Sequence, residues 1–169
     1  FQNWPLFQQN NIKDGSYING RTIKRLERID TSNISSIITI ENKANYYEYI
    51  QHKKDEELVF YLGGFNTPIQ TKFLSKLNNG IQVFHWSDID LGGFKIFIKL
   101  KETFKQLQPF MMDKKTLIKY KEKGMLITNQ EYMKKIMLLK EDKRYEVFYE
   151  LIDEMNILNI RIEQECMIN

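Results

Sequence analysis

Three short apolar runs, each followed by a stretch with apolar residues at helical spacing, place the strongest limits on how this chain can fold. Strands separated by helices of this length need crossover connections, and near-continuous apolar strands are typical of a parallel sheet covered on both faces. With a fourth run further on, the pattern predicts an α/β fold with a four-stranded parallel sheet and flanking helices. The predicted strands are residues 37–40, 58–62, 81–86 and 109–112, and the predicted intervening helices are residues 43–51, 68–77 and 94–107.

The region before the first run carries a hairpin signal. Asn19 and Gly20 readily adopt the positive φ angles of a tight turn, and they stand between residues 16–18 and 21–26, which have the character of strands. We therefore predict an N-terminal β-hairpin within an extension that covers residues 1–36.

The remaining residues, 37–169, form the predicted main domain, and its C-terminal portion carries helical signals. Residues 67–70 match a capping box with proline at the first helical position, and residues 128–131 match a second box. Asp142 can cap a further helix. We expect the last helices to pack on the sheet.

Composition narrows the class of protein. A chain of 169 residues with 42% hydrophobic residues is long enough to bury one sizeable core. Its one cysteine, Cys166, cannot form an internal disulfide, and no apolar run approaches the roughly 20 residues of a membrane helix, so we expect a cytoplasmic protein without a membrane partner. The net charge of +3 permits a polyanionic partner without requiring one. The first residue is Phe, so we expect the sequence to begin inside a longer polypeptide or to lack its start.

Acidic residues follow two of the predicted strands. Glu41 comes directly after the first, and Asp88 and Asp90 come after the third. If those strands are neighbours, the three carboxylates converge, and two like charges about 4 Å apart repel by roughly 4 kcal/mol at an effective dielectric of 20. A hard divalent cation, Mg²⁺ or Mn²⁺, is the natural counter-ion. Gly92 and Gly93 would let a phosphate backbone approach the next helix closely.

Each acid also has a structural interpretation. Asp90 can cap the helix that follows it, Asp88 can end a strand, and Glu41 can face solvent before an Asn42 cap. Two other functions stay open: a non-catalytic DNA-binding or assembly module, and a phosphohydrolase that uses an aspartate nucleophile. The second would place its Asp-x-Asp motif on the first core strand, whereas here the motif follows two earlier strand-helix units. A calcium-binding loop of the EF-hand type is excluded, because the residues after the acidic motif do not supply the later oxygen ligands that such a loop needs.

Three motifs in the chain resemble a known family. They are TIEN at residues 39–42, YLGGF at residues 61–65 and HWSDIDLGGF at residues 85–94. Together they resemble the C-terminal TOPRIM region of the Wadjet anti-plasmid nuclease subunit, the JetD family, which is itself similar to the A subunit of type VI topoisomerases. The similarity covers most of the chain and is most specific in the Asp-x-Asp-x-Gly-Gly block. Ser87 departs from the pattern, because a glycine is common there.

The resemblance implies a function. The chain would be one domain of a larger metal-dependent DNA endonuclease of a plasmid-defence system, cleaving closed-circular DNA. Glu41 would bind metal or act as general acid and base, and Asp88 and Asp90 would form the metal-binding pair, with Mg²⁺ or Mn²⁺ as cofactor. The implied partners are double-stranded DNA, the subunits of an SMC-like, condensin-type complex, and a second copy of the full-length protein.

Several further residues are weaker candidates. Glu163 and Glu165 resemble a terminal acidic signature of the same family and would supply another metal ligand, although an exposed edge explains them as well. Lys95, Lys114 and Lys115 are candidate DNA contacts, with a solvated helix face as the alternative.

Other polar residues of the same regions favour structural roles. We expect Asp113 to cap a helix and His85 to be a buried, hydrogen-bonded histidine. The tyrosines Tyr46, Tyr47 and Tyr49 are expected to pack, because no activating base is recognisable beside them.

Overall fold

The computed structural model describes residues 15–27, 29–77 and 80–168. Helices and strands alternate along most of the chain, as the sequence predicts. The strands are β1 (Ser36–Ile40), β2 (Glu57–Tyr61), β3 (Gln82–Trp86), β4 (Gln108–Pro109), β5 (Met125–Leu126) and β6 (Ile160–Arg161). The α-helices are α1 (Gly20–Arg25), α2 (Lys43–His52), α3 (Pro68–Leu74), α4 (Leu91–Lys101), α5 (Lys114–Lys119), α6 (Gln130–Met137) and α7 (Tyr149–Leu158). Short 3₁₀ segments lie at Lys121–Lys123, Leu138–Glu141, Lys143–Phe148 and Gln164–Met167.

Four strands form one parallel sheet in the spatial order β2-β1-β3-β4. The register aligns Ile40 with Tyr61 on one side and with Trp86 on the other, so β1, β2 and β3 end at the same edge of the sheet. The backbone N–H of Glu41 donates to the Trp86 carbonyl at 3.0 Å, which extends the β1–β3 ladder by one residue. The predicted α/β class with a four-stranded parallel sheet is confirmed, and the architecture is consistent with a TOPRIM-like fold.

Helices cover both faces of the sheet, which explains why successive residues of its central strands are buried. The His85 ring on β3 lies 6.4 Å from Phe97 of α4 on one face, and the Trp86 ring lies 6.4 Å from Tyr49 of α2 on the other. Successive side chains of a strand point to opposite faces, so a strand covered on both sides buries all of them. In β1, residues 37–40 are accordingly all buried.

The start of α4 is fixed by aromatic packing against the C-terminal half of the chain. Phe94 and Phe97 are fully buried, and their rings lie 4.6 Å and 4.8 Å from the ring of Phe148. Large aromatic rings in close contact contribute strongly to core stability. The helix therefore begins at a defined place, directly after the Asp-x-Asp motif.

The predicted N-terminal hairpin is wrong for its described part. Residues 20–25 form α1 instead, and Asn19 acts as its N-cap by accepting a hydrogen bond from the Thr22 N–H at 3.0 Å. The same Asn-Gly pair that suits a tight turn also suits a helix start, because the asparagine oxygen satisfies an otherwise free N–H. Ile23 is buried and α1 packs against α3, which stabilises the helix over a two-stranded ribbon. Residues 1–14 of the predicted extension lie outside the described residues.

Several predicted boundaries also shift. The fourth strand spans only Gln108–Pro109, because Met111 adopts a left-handed φ of 53° that an extended strand does not allow. Helix α4 runs over Leu91–Lys101 rather than residues 94–107, and α3 ends at Leu74. The capping box at residues 67–70 is confirmed, whereas Asn129, one residue beyond the predicted Thr128, caps α6.

The last described residues return to the edge of the main sheet. Strands β5 and β6 pair antiparallel, and Ile162 then forms a bridge with Ile89 through hydrogen bonds of 2.8 Å and 3.2 Å. Residues 160–168, here named the C-terminal segment, thus run beside the loop that follows β3. Helices α6 and α7 confirm the predicted helical tail, but this extended return was not predicted. No helix of the described ranges has the length and apolar character needed to cross a membrane.

Candidate acidic active site

Glu41 and Asp88 lie at the ends of two adjacent parallel strands. Because β1 and β3 are neighbours and end in register, the loops after them leave the sheet side by side. Both carboxyls are half-buried, and Asp88 is close enough for its charge to raise the pKa of Glu41. The adjacency on which the sequence prediction depended is therefore present.

Burial and like charge act strongly on Glu41. The pKa of Glu41 is raised from the ordinary 4.5 to about 7. Burial is the largest cause, the charges of Asp88 and Asp90 also raise the pKa, and hydrogen bonding to the Asp88 backbone lowers it. In the described part of the chain, the Glu41 Oε2 atom is buried without a hydrogen-bond partner. A buried acceptor left unpaired costs about 1–3 kcal/mol. No described residue donates to this oxygen.

Asp88 is held by the C-terminal segment. Its Oδ1 accepts a hydrogen bond of 2.6 Å from the backbone N–H of Gln164. Burial raises the pKa of Asp88, the Gln164 N–H lowers it, and the carboxylates of Asp90 and Glu163 raise it again. Asp88 is therefore oriented by a neutral donor that leaves its second oxygen available.

Asp90 has a structural role that the sequence offered as an alternative. It is the N-cap of α4, where its Oδ1 accepts from the Gly93 N–H at 2.8 Å. Its Oδ2 lies 3.5 Å from Arg161 Nη1 and accepts a long hydrogen bond of 3.5 Å from the Tyr132 hydroxyl. A cation bound by Asp90 would have to share Oδ2 with Arg161.

Magnesium chemistry fits Glu41 and Asp88 better than all three acids together. Among residues 15–27, 29–77 and 80–168, no group of three acidic, histidine or cysteine side chains is gathered closely enough to hold an ion. Mg²⁺ is commonly bound by one or two carboxylates and keeps several waters. The unpaired Oε2 of Glu41 and the second oxygen of Asp88 are the oxygens that could hold such an ion, with Asp90 nearby.

Gly93 is needed for packing and does not open the site to phosphate. It is buried, and a Cβ at this position would lie 2.1 Å from the Asp88 carbonyl oxygen and 2.6 Å from Ser87 Oγ. The expected close approach of a phosphate can apply only to Gly92, which is exposed. Ser87, where a glycine is common, is itself buried and donates from its hydroxyl to the Met112 sulfur at 3.4 Å.

The C-terminal segment brings polar residues to the site that sequence reasoning missed. Gln164 is fully buried, and its Oε1 accepts from the Asn42 N–H at 2.8 Å, while Asn45 Nδ2 donates to its carbonyl at 2.8 Å. Arg161 pairs with Glu163 at 3.3 Å. The only signal in the sequence was the acidic pair at Glu163 and Glu165, on either side of the residue that makes the contacts.

The two glutamates of the segment flank the site without joining Glu41 and Asp88 around one point. Glu163 raises the pKa of Asp88, which places it within electrostatic reach. Glu165 accepts a hydrogen bond from Asn42 Nδ2 at 2.9 Å and is exposed. Their predicted role as further metal ligands stays a prediction.

The candidate lysines lie on two different helices. Lys95 is exposed on α4, the helix that Asp90 caps, while Lys114 and Lys115 begin α5. Lys114 forms an ion pair of 2.8 Å with Glu154, which reduces the charge it offers to DNA. Asp113 caps α5 through the Thr116 N–H at 2.7 Å, as predicted.

His85 and the tyrosines are structural, in agreement with the sequence analysis. His85 is completely buried, its Nδ1 lies 2.8 Å from Thr39 Oγ1, and burial lowers its pKa to about 4. Tyr46 packs edge-on against Tyr47 at 5.5 Å, and Tyr49 packs against Trp86. Burial raises the pKa of Tyr49, which disfavours a tyrosinate nucleophile.

This arrangement defines an α/β domain with an acidic site at the carboxyl edge of its parallel sheet. The C-terminal segment packs beside that site. The chain belongs to the JetD family, because the model of the family described as Wadjet protein JetD, C-terminal, matches residues 8–168. It is also 37% identical over 154 residues to Wadjet protein JetD of Bacillus cereus (strain Q1), an alignment that covers 87% of this chain. The chain spans 37% of the length of that relative.

Proposed function

We propose that this chain is the divalent-metal-dependent DNA endonuclease domain of a plasmid-defence protein, related to TOPRIM domains, and that it acts on closed-circular DNA. Membership of the JetD family supports the defence role. The observation that carries the chemistry is the pairing of Glu41 and Asp88 at adjacent strand ends, with Glu41 Oε2 buried and unpaired among the described residues. A cation bound to both would relieve the repulsion that this arrangement creates.

The chain's own residues divide the work in this proposal. A bound Mg²⁺ or Mn²⁺ would position the scissile phosphate and lower the pKa of a water. Glu41 would either bind the ion or, with its pKa raised to about 7, take a proton from the attacking water or return one to the leaving oxygen at neutral pH. Asp88 offers a ligand oxygen while Gln164 holds the other. The N-terminus of α4, capped by Asp90, directs its partial positive charge toward the same edge.

The test is nicking of covalently closed circular DNA in the presence of Mg²⁺ or Mn²⁺. We expect Glu41→Gln and Asp88→Asn each to lower the nicking rate by about 10²–10⁴-fold, the range of a lost acid-base group. Glu146→Gln serves as the control, because Glu146 is an exposed acid on the 3₁₀ segment before α7. Nicking that persists in the Glu41 and Asp88 double variant would overturn the assignment.

A non-catalytic DNA-binding or assembly module is the second candidate, and one observation favours it. Asp90 is already satisfied as a helix cap with Arg161 beside it, as an architectural residue would be. Calorimetric titration with Mn²⁺ separates the two functions. The nuclease proposal requires binding that Asp88→Asn weakens, whereas an architectural site would show no binding in either protein.

The proposed partners follow from the family and are tested separately. They are double-stranded DNA, the subunits of an SMC-like complex and, for the full-length protein, a second copy. Co-purification of the full-length protein with the other subunits, before and after Asp88→Asn, would show whether assembly is independent of the acidic site. We expect it to be independent, because Asp88 is half-buried beside the C-terminal segment.

A further inference from the structure

Gln164 is an unusual residue of the C-terminal segment, because it is polar and fully buried. Most buried polar groups are hydrogen-bonded, although within the described residues the Gln164 Nε2 atom is buried without a partner. Gln164 makes three hydrogen bonds: its N–H donates to Asp88 Oδ1 at 2.6 Å, its Oε1 accepts from the Asn42 N–H at 2.8 Å, and its carbonyl accepts from Asn45 Nδ2 at 2.8 Å. All three partners lie in or directly after the loops that leave β1 and β3.

These bonds join the two halves of the acidic site through one residue. Asn42 follows Glu41 in the chain, so the bond to its N–H fixes the backbone beside one carboxyl, while the Gln164 N–H fixes the other carboxyl directly. The orientation of the amide is settled, because a backbone N–H can only donate. Asn42 and Asp88, one in each loop, are 46 residues apart in the sequence. Gln164 contacts both, although it lies 122 residues after Asn42 and 76 residues after Asp88.

A neutral donor has an advantage at this place. A lysine or arginine there would hold Asp88 by neutralising it and would compete with a bound cation. A backbone N–H orients one carboxylate oxygen and leaves the charge in place, and partners of this kind commonly determine metal affinity. The Gln164 carbonyl, anchored by the buried Asn45, keeps the donor from moving.

We infer that Gln164 is the positioning residue of the acidic site, holding Asp88 in the orientation for metal binding and setting its spacing from Glu41. The inference rests on the proposed metal-dependent function. The C-terminal segment would thus position Asp88, and this role does not depend on whether Glu163 and Glu165 bind metal as predicted.

Two substitutions at one position separate the contributions. Gln164→Ala removes the side-chain bond to Asn42 and keeps the N–H, whereas Gln164→Pro removes the N–H to Asp88 as well. Proline is compatible with this position, because residue 164 begins a 3₁₀ helix and Glu163 before it is extended, with φ −77° and ψ 142°. Gln130→Pro is a matched control, because Gln130 is an exposed glutamine at the first position of α6. The Asn129 cap accepts hydrogen bonds from the N–H groups of Glu131 and Tyr132, so it does not need the Gln130 N–H.

The measurement is the Kd for Mn²⁺ by calorimetry, with the thermal unfolding midpoint measured alongside. We expect Gln164→Ala to raise the Kd several-fold and Gln164→Pro to raise it by about 10–100-fold, the range for partners of a metal ligand, while Gln130→Pro leaves it unchanged. A purely structural residue would lower the unfolding midpoint without changing the Kd of the folded protein. Equal Kd values for wild type and Gln164→Pro would overturn the inference.

The design separates this inference from the proposed function. Wild-type protein that fails to bind Mn²⁺ would overturn both, whereas wild-type binding with unchanged Gln164 variants would overturn the positioning role alone. If Gln164→Pro does not fold, Gln164→Ala carries the test, and its Kd must still rise.

Discussion

Arg161 forms ion pairs with both Asp90 and Glu163, with its Nη1 3.5 Å from Asp90 Oδ2 and its Nη2 3.3 Å from Glu163 Oε1. The guanidinium is thus a positive charge beside Asp90, the acid that neighbours the proposed cation ligands Glu41 and Asp88. We predict that Arg161→Gln tightens Mn²⁺ binding about fivefold. The substitution removes the repulsion between the guanidinium and the metal ion, which is on the order of 1 kcal/mol at this range. Calorimetric titration measures the Kd, and Arg144→Gln is the control, since Arg144 is exposed and pairs with Asp142 elsewhere. An unchanged or weaker affinity would contradict the prediction.

The raised pKa of Glu41 predicts a pH-dependent cost of folding. Its pKa of about 7 lies above the ordinary 4.5, so the folded protein binds more protons than the unfolded chain between these values. The free energy of unfolding therefore falls as pH rises through that window. Glu41→Gln mimics the protonated form, and we expect it to raise the unfolding midpoint at pH 8, by a few degrees, and to change it little at pH 4.5. A stabilisation equal at both pH values would exclude the ionisation of Glu41 as its cause.

His85 predicts the opposite slope. Burial lowers its pKa to about 4 from the ordinary 6.5, so the unfolded chain binds more protons between these values and the free energy of unfolding falls as pH decreases. We expect His85→Leu to flatten urea-unfolding stability between pH 4 and pH 6.5, in addition to a constant loss from its Thr39 contact. Urea unfolding at several pH values measures this, and a slope unchanged from wild type would be the contrary result.

The close approach of α4 to the loop after β3 predicts that position 93 accepts only glycine. A Cβ on residue 93 would lie 2.1 Å from the Asp88 carbonyl, and backbone there cannot yield without moving the acid. We expect Gly93→Ala to destabilise the fold by about 3 kcal/mol, the upper range for overpacking. The paired control is Gly92→Ala, which is exposed, meets only the Asp90 carboxylate at 3.1 Å and should cost less than about 1 kcal/mol. Chemical denaturation compares the two.

The lysines predict unequal contributions to DNA affinity. Lys95 is exposed on the helix that Asp90 caps, whereas Lys114 is already paired with Glu154 at 2.8 Å. If Lys95 contacts a phosphate, Lys95→Gln should weaken binding and reduce the slope of log K against log salt by about 0.9. Lys114→Gln should change the slope less. Fluorescence anisotropy with duplex DNA at several salt concentrations measures both, and equal slopes for all three proteins would remove Lys95 from the interface.

The sheet and the acidic edge were predictable from local patterns. The strand at residues 37–40 is isoleucine at every position except Thr39, and its burial on both faces follows from the two layers of helices. The position of Glu41 directly after that strand then places it at the carboxyl edge, where Asp88 also lies. Only the adjacency of β1 and β3 had to be assumed, and it is confirmed.

The rest of the site depends on contacts that no local pattern encodes. Gln164 meets Asp88 across 76 residues and Asn42 across 122, so neither partner carries a mark of the other in the sequence. Asn19 shows the same limitation at short range, because an Asn-Gly pair satisfies a hairpin turn and a helix cap equally well. Packing of Ile23 decides between them, and that depends on α3.

The return of the C-terminal segment has a consequence for how the protein acquires its site during folding. Bringing together groups so distant along the chain carries a loop-closure entropy that is recovered only when the sheet and helices between them have already condensed. The ordered acidic pair is therefore expected to be among the last features to form. A partly folded chain with β1–β4 in place would have both carboxyls, but the C-terminal segment would not yet align them.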